Sequence, residues 1–351
     1  MKKAIDIDGF KIGENERTFI IAEMSANHLQ DFDRAVEIIR KAKWAGADAI
    51  KLQTYTPDTI TLNCDNEYFQ INQGTIWDGT TLYKLYEEAY TPWEWQPKLK
   101  KIAEDEGLVF FSSPFDYTAV DFLEEMNVPA YKIASFEITD IPFLKYVASK
   151  GKPVIISTGI AQLKDIQEAL DACKEVGNDQ VILLKCTSAY PTPIEDINLK
   201  TMVNMKETFD VLTGLSDHTM GSAVSVGAVA LGAKVIEKHM TLRREDGGAD
   251  SKFSMEPEEF KEMIDNIRMI EKALGNVTYN LSEKQKRSRE HSRSLFVIKD
   301  IKKGEKFTND NIKSIRPGNG ISTRYIEDIL GKKAEVDIKR GTPLKWELIK
   351  G

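Results

Sequence analysis

Eight short runs of apolar, largely β-branched residues, each turning polar at its end, constrain this chain more than any other feature. They are TFIIAEMS (18–25), AIKLQTY (49–55), LVFFSSP (108–114), AYKIAS (130–135), PVIISTG (153–159), VILLKCT (181–187), LTGLSDHT (212–219) and VIEKHMT (235–241). Between most of them lie stretches such as DRAVEIIRKAKWAGA and LKDIQEALDACKEVG, with apolar residues at three and four spacing and a glycine near the end, the pattern of helices. Near-continuous apolar strands alternating with helices form a parallel sheet covered by those helices. Eight strands favour closure into a (β/α)8 barrel, the TIM-barrel class of α/β fold, over an open doubly wound sheet. No strand is followed by G-x-G-x-x-G, so a dinucleotide fold has no support.

Other segments frame the barrel. AIDIDGFKIG alternates around Asp8-Gly9 and predicts a hairpin that plugs the barrel floor. Residues 56–96 make a long insertion rich in Tyr and Trp, and a loop of that length in a compact domain is usually functional. Its Trp77, together with Trp93 and Trp95, reads either as a lid or sugar platform or as core anchors. After FKEMIDNIRMIEKALG comes a charged linker, then short strands separated by Gly, Asn and Asp turns. We expect a barrel over 1–278, a linker over 279–291 and a small β-rich domain over 292–351.

Composition narrows the function classes. The 351 residues are 41% hydrophobic, enough for a large core, and the net charge of −7 is spread along the chain. With no basic stripe, nucleic acid is not an expected partner. No run approaches the length needed to span a bilayer, and the N-terminus lacks an apolar signal region, which predicts a cytoplasmic protein without membrane contact. Cys64, Cys173 and Cys186 have no paired spacing; we read them as reduced thiols, and Cys186 as a small buried apolar residue.

The polar strand ends carry the chemistry. They read Glu23; Lys51 and Gln53; Ser112 and Ser113; Lys132 and Ser135; Ser157 and Thr158; Lys185 and Thr187; Ser216 and His218; Glu237 and His239. In (β/α)8 enzymes the active site lies at this face, which argues for an enzyme over a scaffold. Two of the chain's four histidines, His218 and His239, fall on neighbouring strands with Ser216 and Glu237 in the same parity. Two imidazoles beside a carboxylate suit a divalent metal with open positions, or else are hydrogen-bonded rim residues. His28 reads as a third rim residue or a turn stabiliser, and His291 as solvent-exposed. Lys51 and Lys132, ringed by serine hydroxyls, suit a phosphate; the competing readings are plain ion pairs with Glu23, Glu137 or Glu237, and a Schiff-base lysine of an aldolase.

IAEMSANH, IKLQTYTPD, SSPFD, AYKIASFE, STGI, CTSAYPTP, GLSDHT and EKHM, in this order and followed by RPGNG, resemble the sialic acid synthase family, which condenses phosphoenolpyruvate with an amino sugar. The C-terminal segment resembles antifreeze-like (SAF) domains. Within the family, QTYTPDTITL, GTIWDGTTLYKLYEEAYTPWEW, KIASFE and DSKFSM are most similar to the branch that makes pseudaminic acid from a diacetamido-trideoxy sugar. The legionaminic and N-acetylneuraminic acid branches are the alternatives. The resemblance implies a divalent metal on His218 and His239, typically manganese, with magnesium or cobalt as alternatives. It implies phosphoenolpyruvate on Lys51, Ser113, Lys132, Ser135, Ser157, Ser188 and Ser216. It sets Gln53, Tyr190 and Asp250 toward the sugar and Glu23, Glu237 and Lys132 at the reaction centre. Arg316 matches an arginine that reaches the partner's barrel in a domain-swapped homodimer. Ser188, where the family commonly has asparagine, and Ala249, where its GPD motif has proline, are departures that point to a different sugar more than to a different reaction.

Overall fold

The computed structural model describes residues 1–351 apart from Gln73, Tyr190 and Pro191. Its first element is the expected hairpin, β1 (Ala4–Ile7) and β2 (Phe10–Gly13), with Ile7 opposite Phe10. Asp8 and Gly9 turn the chain with φ of 53° and 81°, the left-handed pair that a two-residue hairpin requires. The eight predicted strands follow as β3 (Phe19–Glu23), β4 (Ala49–Thr54), β5 (Val109–Pro114), β6 (Tyr131–Ile133), β7 (Val154–Ser157), β8 (Val181–Lys185), β9 (Leu212–Asp217) and β10 (Val235–His239). Every neighbouring pair is parallel, and β10 pairs with β3 to close the barrel.

Strand parity divides the core in two. Outward residues such as Ile20, Ile50, Phe110 and Ile236 pack under the surrounding helices. Inward residues from the strand starts, including Phe19, Ile21, Phe111, Ile155, Leu184 and Val235, fill the barrel, and Ile5, Ile7 and Ile12 of the hairpin join them from below. The hairpin therefore closes the floor. The upper interior is left to the polar strand ends. Helices begin where the sequence offers caps: Asp31 accepts from the amides of Asp33 and Arg34 at the start of Phe32–Ala45, and Gly46, at φ 97°, ends that helix.

The chain divides into a unit of Met1–Gly275 and one of Asn276–Gly351. The second unit begins with an exposed segment that includes a short helix, Glu283–Arg289, and contains the antiparallel pair β11 (Ser294–Val297) and β12 (Ile312–Ile315). Its own core gathers Leu295, Val297, Phe307, Ile312, Ile329 and Leu344.

Gly214, in the middle of β9, is where the barrel wall has no space for a side chain. A Cβ there would lie 2.2 Å from the Val235 carbonyl oxygen and 2.8 Å from Leu184 Cδ2. Since the first obstacle is backbone, Gly214→Ala should destabilise the barrel by about 2 kcal/mol, read as a lowered melting temperature. Wild-type melting would show that β9 and β10 can separate without loss.

Candidate active site

Parity carries polar residues at or just after the ends of seven of the eight strands, all but β8, into one cavity at the C-terminal mouth. Glu23, Lys51, Gln53, Ser113, Lys132, Ser135, Ser157, Ser216, His218, Glu237 and His239 line it together. Four of these are charged and almost wholly buried, so each must find a partner. Lys51 Nζ stands 2.6 Å from Glu23 Oε2 and 3.7 Å from Glu237 Oε1, and donates to Ser113 Oγ at 3.1 Å. Lys132 Nζ donates to Ser157 Oγ at 2.7 Å and to the Ile133 carbonyl at 3.1 Å, with Glu237 Oε1 3.7 Å away.

The two carboxylates differ in environment. Burial pushes the Glu23 carboxyl above the usual range against the pull of Lys51, and the like charge of Glu237 adds to the rise. Burial works on Glu237 in the same direction, but Lys132 and Lys51 together outweigh it and hold that carboxyl low. Burial lowers the Lys132 ammonium. Lys51, drawn by Glu23 and Glu237, stays raised despite burial. Two ammonium groups and four serine hydroxyls, of which Ser135 Oγ is held by the Gly159 amide at 3.1 Å, make a donor-rich pocket suited to an anion with several oxygens. A Cβ at Gly159 would lie 2.1 Å from Ser188 Oγ and 2.6 Å from Ser135 Oγ, which places Ser188 at the edge of this cradle.

The two histidines stand side by side, ring centroids 5.2 Å apart, with Phe253 set edge-on to both at 5.9 and 5.0 Å. Burial, with the His218 ring next in weight, pushes His239 well below the ordinary histidine range, so it is neutral as a metal ligand must be. Its Nδ1 is buried without a hydrogen-bond partner, as is Glu237 Oε2. Orphaned nitrogen and oxygen atoms beside a second imidazole fit a divalent cation. Among the described residues there is no cluster of three or more metal-holding side chains, so the protein's own share of such a site would be the histidine pair.

Asp250 reaches the same mouth from the loop after β10. Ser25 Oγ donates to its carboxylate, and Gln53 Nε2 donates to Ser25 Oγ at 2.9 Å and to Glu23 Oε1 at 3.1 Å. Tyr190 lies outside the described residues, and Arg316 is exposed on the second unit. Cys186 requires a correction. It is buried, but it is not an inert apolar filler: its Sγ lies 3.8 Å from His218 Nδ1 and lines the cavity. Burial works to raise the thiol, yet His218 and the Ser135 hydroxyl bring it down to about 7. Strand parity held the signal, since position 186 shares the inward face with Leu184. By the same rule Lys185 leaves the cavity and bonds Thr187 Oγ1 at 3.1 Å. Ser25 was also not singled out by the sequence.

His28 is a turn stabiliser. Its ring contacts Thr91 Oγ1 at 3.1 Å, accepts from the Gln30 amide, and packs on Trp95, away from the cavity. His291 is exposed. Trp93 stacks on Phe122 and Trp77 donates to the Ala249 carbonyl at 2.8 Å, so the tryptophans anchor the insertion.

Residues 38–279 match the NeuB family and residues 292–350 match the SAF domain. The chain is 50% identical over 331 residues to a pseudaminic acid synthase of Campylobacter jejuni, covering 94% of this chain and 96% of that protein. It is 47% identical to the pseudaminic acid synthase of Helicobacter pylori, covering 93% and 96%. The crystal structure of an N-acetylneuraminic acid synthetase from Leptospira borgpetersenii in complex with citrate superposes with a TM-score of 0.72 at 32% identity, over 82% of this chain and 95% of that one.

Glu137, two residues beyond Ser135, was offered by the sequence as a lysine's ion partner; instead its Oε2 is buried without a hydrogen bond. Burial pushes its carboxyl from 4.5 up to about 7, against its own amide and Lys132. A carboxyl raised in the folded state contributes stability that is full below its unfolded value and is lost as pH climbs through about 7. Glu137→Gln, always neutral, should therefore match wild type near pH 4.5 and melt higher near pH 8, by up to about 3 kcal/mol. Parallel curves across that range would show a solvated carboxylate.

Proposed function

The chain belongs to the NeuB family, and on that premise we propose that it is a pseudaminic acid synthase, condensing phosphoenolpyruvate with 2,4-diacetamido-2,4,6-trideoxy-L-altrose and water to release phosphate. The observation that carries the reading is the single cavity in which Lys51, Lys132 and the serines face His218 and His239. The names of relatives at 50% and 47% identity over nearly the whole chain support the choice of sugar over the legionaminic and N-acetylneuraminic acid precursors.

In this reading Lys51 and Lys132, with Ser113, Ser135, Ser157, Ser188 and Ser216, bind the phosphate and carboxylate of phosphoenolpyruvate and neutralise them as charge shifts. Carbon 3 bonds to the aldehyde carbon of the open-chain sugar, water adds at carbon 2, and phosphate departs with its bridging oxygen by C–O cleavage. Glu23 or Glu237 takes the water's proton, and the new alkoxide gains one. His218 and His239 would hold a divalent metal, manganese first among magnesium and cobalt, which supplies Lewis-acid polarisation of the aldehyde. Gln53, Tyr190 and Asp250 orient the sugar. No helix of the described residues is long and apolar enough to cross a membrane, and the reading places the protein in the cytoplasm, where phosphoenolpyruvate is made.

A homodimer completes the proposal. Phe136, Ile160, Ile194 and Met220, in the loops after β6, β7, β8 and β9, are 60%, 45%, 62% and 44% exposed around the mouth. A rim of apolar side chains at the mouth supports a cover, and a partner's SAF domain carrying Arg316 fits that need.

Enzyme stripped with EDTA should release no phosphate, and manganese should restore release with the L-altrose derivative, together with a nine-carbon keto acid. Turnover of N-acetylmannosamine alone would move the substrate, while borohydride trapping of an enzyme–pyruvate adduct would replace the mechanism with the lysine aldolase. For the assembly, inactive Arg316→Ala mixed with inactive His239→Ala under subunit exchange should recover activity. None, despite proven exchange, would exclude shared sites.

A further inference from the structure

We propose that Ser25 is a positioning residue for the sugar, its hydroxyl fixing Gln53 and Asp250 in the orientations that receive it; the proposal rests on the synthase reading above. Two observations carry it. Ser25 follows β3 by two residues with φ of 46°, in the left-handed region where a Cβ is disfavoured and glycine is the natural occupant. It is also buried, at 3% exposure, in the middle of a polar relay.

Proton counting gives the relay one direction. Gln53 Nε2 has two hydrogens, and both are used, toward Glu23 Oε1 at 3.1 Å and Ser25 Oγ at 2.9 Å. Ser25 Oγ, having accepted one, gives its own proton to Asp250 Oδ2. Gln53 Oε1 is then the atom that its amide can turn to a ligand. Beside it stands a carboxylate, so this side of the cavity offers acceptors. It should receive the hydroxyl and amide N–H donors of a neutral amino sugar and disfavour a sugar phosphate. Without the hydroxyl, the Gln53 amide keeps only its bond to Glu23 Oε1 and Asp250 only its bond from the Ala26 amide, so neither is any longer set against the other. A glycine would satisfy the backbone better, so the relay, and not the turn, gives this position a use for a serine.

Two variants separate hydroxyl from backbone. Ser25→Gly relieves the left-handed strain and Ser25→Ala keeps it, while both remove the hydroxyl. We expect both to raise KM for the sugar about tenfold, the scale of a lost charge-assisted hydrogen bond, with KM for phosphoenolpyruvate within about twofold of wild type. Ser25→Gly should melt at or above the wild-type temperature and Ser25→Ala below Ser25→Gly. An unchanged sugar KM in Ser25→Gly overturns the proposal, as does an equal rise in both KM values. Crystal structures of wild type and Ser25→Gly read the same point without turnover: Gln53 and Asp250 in unchanged rotamers overturn it, and a rotated Gln53 amide upholds it. Absence of phosphate release by wild type with any sugar would instead sink the synthase reading.

Discussion

Four charged side chains buried in the mouth of a closed barrel determine most of what this site can be. Glu23, Lys51, Lys132 and Glu237 are each at most 5% exposed in their side chains, and within 4 Å they form a chain of alternating sign. Breaking such a set by removing one member leaves an uncompensated charge out of water, which costs about 3–5 kcal/mol. The quartet is balanced before any ligand arrives. An entering anion therefore meets ammonium groups already aimed inward and held by Ser113 and Ser157, with little reorganisation left to make.

The frame behind the cavity is held with equal care. Lys238 and Asp217 alternate with the histidines and face outward, where they form a fully buried pair at 2.8 Å. Asp217 also accepts from the Thr219 amide and hydroxyl and from Ser225 Oγ, while Lys238 donates to the Thr219 carbonyl at 2.6 Å. These bonds tie together the two strand ends that carry His218 and His239. From above, Phe253 presses on both rings. Imidazole positions are thus set from both sides of the sheet.

The long insertion contributes more by packing than by chemistry. Trp93 donates to the Tyr55 carbonyl at 3.0 Å, and Tyr86 meets the Tyr55 ring at 5.5 Å. Tyr55 in turn packs edge-on to Phe115 after β5. An aromatic wall of this kind stands beside the polar relay of Gln53, Ser25 and Asp250 and bounds the space next to it.

By itself the sequence determined the barrel, its hairpin floor and eleven of the cavity's residues. Apolar runs of strand length and a two-residue period specify which side chains enter a closed sheet, and that is local information. What the order of residues could not decide was which groups pair across strands. Glu137 was as good a partner for a lysine as Glu23 until the barrel placed Glu23 2.6 Å from Lys51 and left Glu137 without a hydrogen bond for its Oε2. Cys186 looked like packing until closure brought it against His218, and nothing marked Ser25 until the loop carrying Asp250 came back over it. Those assignments depend on distances between residues 32 and 225 positions apart, which only the closed tertiary structure sets.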